Sequence, residues 1–369
     1  PPTGGVRSVR VALVHDWLTG MRGGEKALEA ILEIVPDADL LTLLHVPGSV
    51  SPTIEHRTIR TSFIQRLPNA AAWYRHYLPL FPTAIEQFDL DGYDLAVSVS
   101  HCVAKSIVRP ATTRHVCYCL TPVRYAWDQF DAYFGPARVG RLRSALLRRA
   151  MARLARWDRA TAGRADRFIA ISRYVAGRIE RYYNVPASVI YPPVDTEFFS
   201  PDGSEPGRHA LVVSALVPYK RVDVALAACR AAGVPLRVVG DGPELTSLRK
   251  AAGPGVTFLG RLSDEEIREE YRRAGVALLP GVEDFGIVPL EAQACGRPVV
   301  AVGAGGALET VRHGETGLHV GDGSIAAFAA SVKRALDERF DPARIRAHAE
   351  TFGRRRFVGE MRASLQQAV

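Results

Sequence analysis

The chain has 369 residues, of which 47% are hydrophobic and 23% are charged, and this composition excludes a disordered protein and predicts about two to three domains. It has no run of about 18 apolar residues and no apolar stretch at its start, so we expect neither a transmembrane helix nor a signal peptide. The net charge is +8, and the five cysteines lack CxxC or Cys/His ligand spacing, which favours buried free thiols over a disulfide framework or a zinc site.

Apolar strand-like runs alternate with helical periods along the first half, a pattern typical of parallel α/β domains. The first predicted strand, 9–15, is followed by the loop D-W-L-T-G-M-R-G-G and by a helix from 25 to about 35. Glycine lets the backbone approach a phosphate or sugar without a Cβ in the way, so Gly23 and Gly24 predict a ligand-facing loop, with a simple turn as the alternative. Further strands are predicted at 40–44, 95–100, 116–118 and 167–171.

A histidine and a lysine, His101 and Lys105, follow the predicted strand 95–100. A lone histidine is more often structural, but the carboxyl end of a parallel strand is where an open α/β sheet holds its ligand. His101 is therefore predicted at a ligand site. Farther along, in C-Y-C-L-T-P-V-R-Y-A-W-D, Arg124 and Asp128 lie beside a proline turn and are candidate contacts to a second ligand, while the aromatic residues between them can be core residues.

Positive charge is concentrated in residues 138–181, which hold thirteen arginines against three acidic residues. Leucine, methionine and tryptophan residues are interleaved at helical spacing, which predicts an amphipathic basic helix. Such a face can lie on an anionic bilayer, or its apolar stripe can pack on its own domain, and both interpretations stay open. Nucleic acid binding is disfavoured, because no aromatic-basic motif of a known reader accompanies the charge.

The second half repeats the α/β scheme, with predicted strands at 209–216, 236–239, 256–259, 276–279 and 298–302. Prolines, glycines and acidic residues break the periodicity at 191–207, which predicts a linker. We therefore predict an α/β protein of two Rossmann-like lobes, 1–190 and 208–341, followed by a final helix over 342–369.

Residues 283–291 read E-D-F-G-I-V-P-L-E and directly follow the apolar run V-A-L-L-P. This combination places Glu283 at the carboxyl end of a strand and Glu291 on the first turns of a helix. Backbone amides at the helix start, from Gly286 to Val288, suit a phosphate. Glu291 can accept hydrogen bonds from a ribose diol and Glu283 from a second polyol, so the predicted ligand is a nucleotide carrying a sugar.

These segments resemble the retaining glycosyltransferases of family 4, which have the GT-B fold, over nearly the whole chain. The motifs that carry the resemblance are the paired glutamates, Gly23-Gly24-Glu25, S-V-S-H-C-V-A-K and V-S-A-L-V-P-Y-K-R-V-D. The segment C-Y-C-L-T-P-V-R-Y-A-W-D is similar to a bacterial polysaccharide mannosyltransferase-like branch. The resemblance implies two doubly wound lobes facing across a cleft, with the final helix crossing back to the first lobe.

The resemblance also implies roles for individual residues. The expected catalytic residues are His101 beside the transferred sugar, Glu283 on the sugar hydroxyls and Lys220 on the diphosphate. The expected donor-binding residues are Gly24, Arg221, Gly242, Phe285, Gly286, Ile287, Val288 and Glu291. The expected acceptor-side residues are Asp16, Gly23, Arg22, Lys105, Arg124 and Asp128.

The chain departs from the family pattern at two places. Ala215 stands where the family usually has an arginine of the diphosphate clamp, so one cation is missing unless Arg221 or another cation supplies it. Leu120 stands where a histidine more often precedes the Thr-Pro. The weaker glycine motifs G-D-G-P-E-L and G-R-L are expected near the nucleotide base, and Gly305-Gly306 is expected to serve packing.

The sequence thus predicts a retaining transferase that moves a hexose, mannose from GDP-mannose in first place, to a hydroxyl of a glycan or lipid-linked acceptor. UDP-glucose or another donor, and a degenerate scaffold that binds without turnover, are the alternatives. Neither a cofactor nor a metal ion is expected, because Lys220, the amides of Gly286 to Val288 and the Gly23-Gly24 loop can hold the diphosphate charge. A dehydrogenase is disfavoured, since no G-x-G-x-x-G follows the first strand. The expected location is the cytoplasm, with the inner membrane surface open to the basic segment.

Overall fold

A computed structural model describes residues 9–368, which divide into two compact units. The described part of the first unit runs from residue 9 to Tyr191 and from Phe357 to residue 368, and the second unit is Pro192–Arg356. Residues 1–8, at the start of the first predicted lobe, and residue 369, at the end of the predicted final helix, lie outside the described residues.

The first unit is built on a parallel sheet with the strand order β3-β2-β1-β4-β5-β6-β7. Its strands are β1 Val11–His15, β2 Asp39–Thr42, β3 Ile59–Thr61, β4 Leu95–Ser100, β5 Arg114–Cys119, β6 Arg167–Ala170 and β7 Ala187–Val189. The central strands are continuous apolar runs because helices cover both faces of the sheet, and every residue of β1 and β4 is buried. The β1–β4 register pairs His15 with Val99, so the loops that follow these two strands lie side by side.

The helices of the first unit pack on this sheet around a core that includes Val14, Leu41 and Phe81. They are α1 Gly23–Leu32, α2 Pro52–Glu55, α3 Ala70–Trp73, α4 Phe81–Glu86, α5 Arg124–Trp127, α6 Phe130–Phe134, α7 Pro136–Val139, α8 Arg141–Ala160 and α9 Arg173–Tyr183. Among residues 9–368, no helix combines the length and the apolar character needed to span a bilayer.

The basic segment 138–181 is not one helix, which corrects the prediction. Gly140, at φ +82°, separates α7 from α8, and the chain then leaves α8 to form β6 before α9 begins. Helix α8 is amphipathic as expected, since Met151 and Leu154 on one side are buried. Near its start, however, Leu142 and Leu146 are 78% and 58% exposed. The apolar stripe therefore packs on its own unit only along the second half of the helix.

The second unit has a parallel sheet with the order β10-β9-β8-β11-β12-β13. Its strands are β8 Ala210–Val213, β9 Leu236–Val239, β10 Val256–Gly260, β11 Val276–Leu279, β12 Val299–Val302 and β13 Gly317–Val320. Its helices are α10 Val222–Ala232, α11 Leu245–Ala251, α12 Asp264–Arg273, α13 Ile287–Ala294, α14 Ala307–Thr310, α15 Ile325–Asp337 and α16 Pro342–Glu350. The strand order reverses between β1 and β4 in the first sheet and between β8 and β11 in the second. Such switch points are where doubly wound folds bind ligands.

The predicted final helix 342–369 is two helices, α16 and α17 (Arg354–Gln366). Between these helices, the carbonyl of Phe352 accepts a hydrogen bond from the Val194 amide at 3.1 Å, outside the helical ladder. Helix α17 then packs in the first unit, where Phe357 meets the ring of Tyr118. The predicted linker 191–207 is not a separate segment, since its residues from 192 onward belong to the second unit.

Candidate active site

His101 follows β4, and a buried carboxylate fixes the backbone around it. The Asp16 Oδ2 accepts hydrogen bonds from the amides of His101 (2.6 Å) and Cys102 (2.9 Å), and Oδ1 accepts from those of Val103 (2.6 Å) and Ala104 (2.8 Å). Asp16 is fully buried. This corrects the expectation that Asp16 contacts the acceptor, because its two oxygens are instead used to shape the loop that carries His101.

The imidazole of His101 is partly open, with 27% of its side chain exposed, and it lies 3.1 Å through Nδ1 from Asp16 Oδ2. Its ring meets Trp17 edge-on at a centroid distance of 4.3 Å. Burial lowers the pKa of His101 below its ordinary value, although the charge of Asp16 acts in the opposite direction. His101 is therefore a neutral imidazole at neutral pH, held in one orientation and available to a ligand.

A second histidine, His15, connects the Gly23-Gly24 loop to the sheet through hydrogen bonds. Its Nδ1 lies 2.9 Å from the Val99 carbonyl and its Nε2 lies 3.3 Å from Glu25 Oε1. Glu25 in turn accepts the amide of Arg22 at 3.0 Å, so the first turn of α1 is tied to β1 and β4. Burial disfavours a charged His15, but the hydrogen bond and charge of Glu25 outweigh it and raise the pKa of His15. Sequence reasoning had missed His15, although it ends the first strand.

Leu120, one of the two departures from the family pattern, packs against the glycine loop. A Cβ on Gly24 would lie 2.7 Å from Leu120 Cδ1, closer than side chains approach one another. A side chain at position 24 would therefore have to displace the end of Leu120. An apolar side chain at 120 closes this side of the loop without offering it a hydrogen bond.

Lys105, expected on the acceptor side, is buried and structural. Its Nζ lies 2.6 Å from the carbonyl and 3.0 Å from Oδ1 of Asp158, and 4.5 Å from the ring centre of Tyr183. The second oxygen of Asp158 accepts from Trp127 and Tyr183, both at 2.8 Å. This network ties the loop after β4 to α8, and it corrects the expectation of a direct Lys105 contact with the acceptor.

Asp128 and Arg124 lie together at the carboxyl side of β5. Asp128 is exposed and is held by Arg178 at 2.7 Å and by the hydroxyl of Tyr182 at 3.3 Å. Arg178 also donates to Thr121 Oγ1 at 2.6 Å, and Arg124 is half-buried at the start of α5. Both predicted acceptor-side residues remain accessible. The sequence did not single out Arg178, because it is one of many arginines in the basic segment.

In the second unit, Lys220 and Glu283 meet at the carboxyl ends of β8 and β11. The Nζ of Lys220 hydrogen-bonds to Glu283 Oε1, and both side chains are largely buried. Gly281 makes this approach possible, because a Cβ there would lie 2.3 Å from the carbonyl of Tyr219 and 2.7 Å from Lys220 Cα. The two predicted catalytic residues of this unit are therefore neighbours, and Gly281 is a site residue that sequence reasoning had missed.

The loop that carries Glu283 rests on Gly305 and Gly306. The amide of Gly306 donates to the Glu283 carbonyl at 2.8 Å. A Cβ on Gly305 would lie 2.5 Å from that carbonyl oxygen, and a Cβ on Gly306 would lie 2.3 Å from Phe285 Cα. The packing role predicted for Gly305-Gly306 is confirmed. The side chain of Phe285 is buried, with its ring centre 5.8 Å from that of Phe352. This corrects the expected contact of Phe285 with the donor, which only its backbone could make.

Helix α13 begins at Ile287, and Gly286 precedes it at φ +99°, a conformation that favours glycine. Ile287 and Val288 are half-buried in the first turn, where helix amides lack helical partners. Glu291 lies one turn further on and accepts the hydroxyl of Tyr271 at 3.2 Å. Burial first, and then Glu291, raises the pKa of Tyr271 well above its ordinary value, so Tyr271 stays a donor that orients this carboxylate.

Ala215 is exposed, and the glycines of the motif G-D-G-P-E-L enclose its loop. A Cβ on Gly240 would lie 1.9 Å from the Ser214 carbonyl, and one on Gly242 would lie 2.4 Å from the Leu216 carbonyl. Arg221, the cation expected to compensate for Ala215, has φ +52°, and its guanidinium is paired with Asp223 at 3.1 Å. In this structure Arg221 therefore does not take the missing position.

Solved structures share the fold of this chain, and family models match its sequence. A structure of Anabaena Alr3699/HepE in complex with UDP and glucose superposes with a TM-score of 0.70 at 18% identity, covering 97% of this chain and 100% of that chain. A sucrose-phosphate synthase of Thermosynechococcus elongatus gives a TM-score of 0.69 at 20% identity, covering 98% and 99%. The model for Glycosyltransferase Family 4 matches residues 44–198, and that for Glycosyl transferases group 1 matches residues 194–352. The chain belongs to the GT-B glycosyltransferases of family 4.

Curated relatives of this glycosyltransferase include a mannosyltransferase and an inositol phosphate glycosyltransferase. The GDP-mannose-dependent alpha-(1-6)-phosphatidylinositol monomannoside mannosyltransferase of Mycobacterium tuberculosis is 36% identical over 200 residues, which cover 46% of this chain and 52% of the relative. The D-inositol 3-phosphate glycosyltransferase of Mycolicibacterium smegmatis is 32% identical over 213 residues, covering 50% and 48%. The matched part thus spans about half the length of these relatives.

Proposed function

We propose that this protein is a retaining hexosyltransferase that transfers mannose from GDP-mannose to a hydroxyl of a glycan or lipid-linked acceptor. The observation that carries the proposal is the Lys220–Glu283 pair at the switch point of the second sheet. It puts a cation for a diphosphate directly beside a carboxylate for sugar hydroxyls. Mannose and guanosine are chosen because the M. tuberculosis relative is named GDP-mannose-dependent.

The second unit supplies the donor contacts of the proposal. Lys220 and the amides at the start of α13 would neutralise the diphosphate, and Glu291, oriented by Tyr271, would accept the ribose hydroxyls. The bond between the anomeric carbon and the phosphate oxygen breaks while the acceptor oxygen bonds to the same carbon on the same face. The acceptor proton passes to the departing diphosphate, so fixed positive charge at that position lowers the barrier.

The first unit supplies the contacts of His101 with the transferred sugar and of Arg124 and Asp128 with the acceptor. His101 is neutral and partly open, and Asp128 is exposed on the carboxyl side of β5. Asp16 and Lys105 support these loops from inside instead of touching a substrate.

The direct test is a panel of donors that includes GDP-mannose and UDP-glucose, each assayed for nucleoside diphosphate release and for a new glycoside with a lipid or glycan acceptor. Proton NMR of the product gives the anomeric configuration. We expect GDP-mannose to be consumed fastest and the product to keep the α configuration of the donor. Faster use of UDP-glucose would replace the donor in the proposal, and a β-linked product would overturn retention.

A scaffold that binds nucleotide sugar without transfer is the second candidate, and Ala215 and Leu120 favour it, because each replaces a polar family residue by an apolar one. Calorimetric binding of a donor without hydrolysis or transfer, across the whole panel, would support the scaffold. Turnover of any donor would exclude it.

We also propose that an anionic membrane surface is a partner through the first half of α8. Leu142 and Leu146 are largely exposed there, and Arg141, Arg143 and Arg149 are exposed on the same helix. Exposed leucines beside arginines suit the boundary between acyl chains and anionic headgroups. A lipid-linked acceptor would then be met at the surface where it resides.

A further inference from the structure

The contact between His101 and Asp16 decides which ring nitrogen of His101 carries the proton. The Nδ1 of His101 lies 3.1 Å from Asp16 Oδ2, which is an ion-pair distance. A carboxylate so close to Nδ1 favours a proton on that nitrogen, because an unprotonated Nδ1 would place its lone pair against the carboxylate oxygen. In a neutral imidazole the other nitrogen, Nε2, then carries a lone pair and accepts. The four amide bonds that Asp16 accepts from residues 101–104 prevent its carboxylate from turning away.

Burial is the main cause that keeps His101 in this neutral form. The charged groups that face it are Asp16 and His15 at the end of β1, Glu25 on α1 and Arg22 in the glycine loop. The ring of His15 lies 5.8 Å from that of His101 and is itself paired with Glu25. Burial lowers the pKa of His101 most, and the charges of His15 and Arg22 act in the same direction, while those of Asp16 and Glu25 raise it.

We propose that Asp16 is a positioning residue that fixes His101 as the neutral Nδ1–H tautomer, so that Nε2 accepts a hydrogen bond from a hydroxyl of the transferred sugar. The role of His101 toward the sugar rests on the proposed function, but its tautomer does not. The tautomer also selects the chemical class of the donor. A sugar that presents a hydroxyl to Nε2 forms a hydrogen bond, whereas one that presents a carboxylate places two lone pairs against each other.

The tautomer is tested without any assay of activity. The chain has ten histidines, and nitrogen-15 labelling of their rings distinguishes protonated from unprotonated nitrogens by NMR. The His101→Asn variant assigns the His101 signals. We expect His101 at neutral pH to show a protonated Nδ1 and an unprotonated Nε2. A ring with the proton on Nε2, or one protonated on both nitrogens, would overturn the proposal even if the protein transfers sugar.

The Asp16→Asn variant tests the consequence for catalysis. The charge of Asp16 raises the pKa of His101, so its removal must lower that pKa further and move the acidic limb of kcat/KM to lower pH. Loss of the fixed tautomer should also lower kcat by about 10- to 100-fold, with a smaller change in KM. If Asp16 only supported the fold of the loop, its replacement would lower kcat but would not move the acidic limb of the kcat/KM profile.

The matched control is Asp166→Asn. Asp166 also accepts a backbone amide, from His115 at 2.8 Å, and pairs with Arg109 at 2.6 Å, but it lies at the other end of the sheet, just before β6. We expect its loss to change the melting temperature without moving the pH limb. An unmoved limb in a folded Asp16→Asn protein, or an equal move in the control, would contradict the assigned role. If Asp16→Asn does not fold, the spectrum of the unmodified protein still decides the tautomer.

Discussion

At the scale of single residues, Glu283 has two functions, in the ion pair with Lys220 and in the proposed contact with the sugar, and a substitution can separate them. Glu283 holds the ammonium group of Lys220 in place, and it is also the carboxylate assigned to the donor sugar. The pair is largely buried, so removing only the charge of Glu283 while keeping its shape leaves Lys220 in a less favourable environment. Activity and stability therefore respond to the same change by different amounts.

We expect Glu283→Gln to lower kcat/KM for the donor by about 100-fold or more, because a hydrogen-bond partner of the transferred sugar is lost from the transition state. Stability should fall by only about 1–3 kcal/mol, since glutamine keeps a hydrogen-bonding group beside Lys220. Steady-state kinetics and thermal unfolding measure both effects.

The control for Glu283→Gln is Glu315→Gln in the same unit. Glu315 is exposed and pairs with Arg312 at 3.6 Å, so neither rate nor stability should change measurably. A Glu283→Gln enzyme with an unchanged rate would remove Glu283 from the site.

At the scale of secondary-structure elements, the strands that sequence predicts well are the buried central ones. The bounds of β4, β9 and β11 agree with their prediction, because each strand is mainly apolar and most or all of its residues are buried. Three edge strands, β3, β7 and β13, were missed, whereas the edge strand β10 was predicted. Strands β3 and β7 have three residues each, expose their middle residue and lack an apolar pattern, so only pairing with a neighbour makes them strands.

Asp16 shows the same limit inside the candidate site. Its position after the first strand predicts a ligand contact, and His101 after β4 predicts another. Which of them faces a substrate depends on the loop 101–104, whose four amides turn toward Asp16 from more than 80 residues away in sequence. Burial and hydrogen bonding across the sheet decide this, and no local pattern encodes them.

Helix α8 carries the prediction of membrane binding. We expect the protein to co-sediment with vesicles that contain phosphatidylglycerol and not with pure phosphatidylcholine, and to be released as salt is raised, because the arginines interact with headgroup charge. Replacing Leu142 and Leu146 together by serine should weaken binding by at least about tenfold, since burying each leucine contributes about 1.5–3 kcal/mol.

Leu308→Ser is the matched control for α8, because Leu308 is also an exposed leucine, at 57%, but lies on α14 of the second unit. Equal loss of vesicle binding in this control would show that α8 is not the contact surface. If the unmodified protein does not bind anionic vesicles, the alternative interpretation, that α8 is a solvated helix, is correct.

At the scale of the whole molecule, the prediction that remains is transfer without a metal ion. Lys220 and the amino-terminal amides of α13 are the groups assigned to the diphosphate, and Arg261, 3.3 Å from Asp241 and exposed, is a further cation beside the loop that encloses Ala215. Asp89 and Asp91 form a turn ahead of β4 in which Asp89 accepts the Asp91 amide at 2.8 Å, at the opposite end of that strand from His101.

Exhaustive treatment with EDTA should therefore leave the transfer rate within about twofold of the untreated enzyme, because we propose that protein cations and helix amides, and not a Lewis acid, stabilise the leaving group. Initial rates of nucleoside diphosphate release, measured with and without EDTA and after added Mg²⁺ or Mn²⁺, decide it. Lys220→Met serves as the comparison, since it removes the assigned cation and should lower the rate far more than the chelator does. Loss of turnover in EDTA that Mg²⁺ or Mn²⁺ restores would show that Ala215 has left a charge deficit that a metal ion supplies.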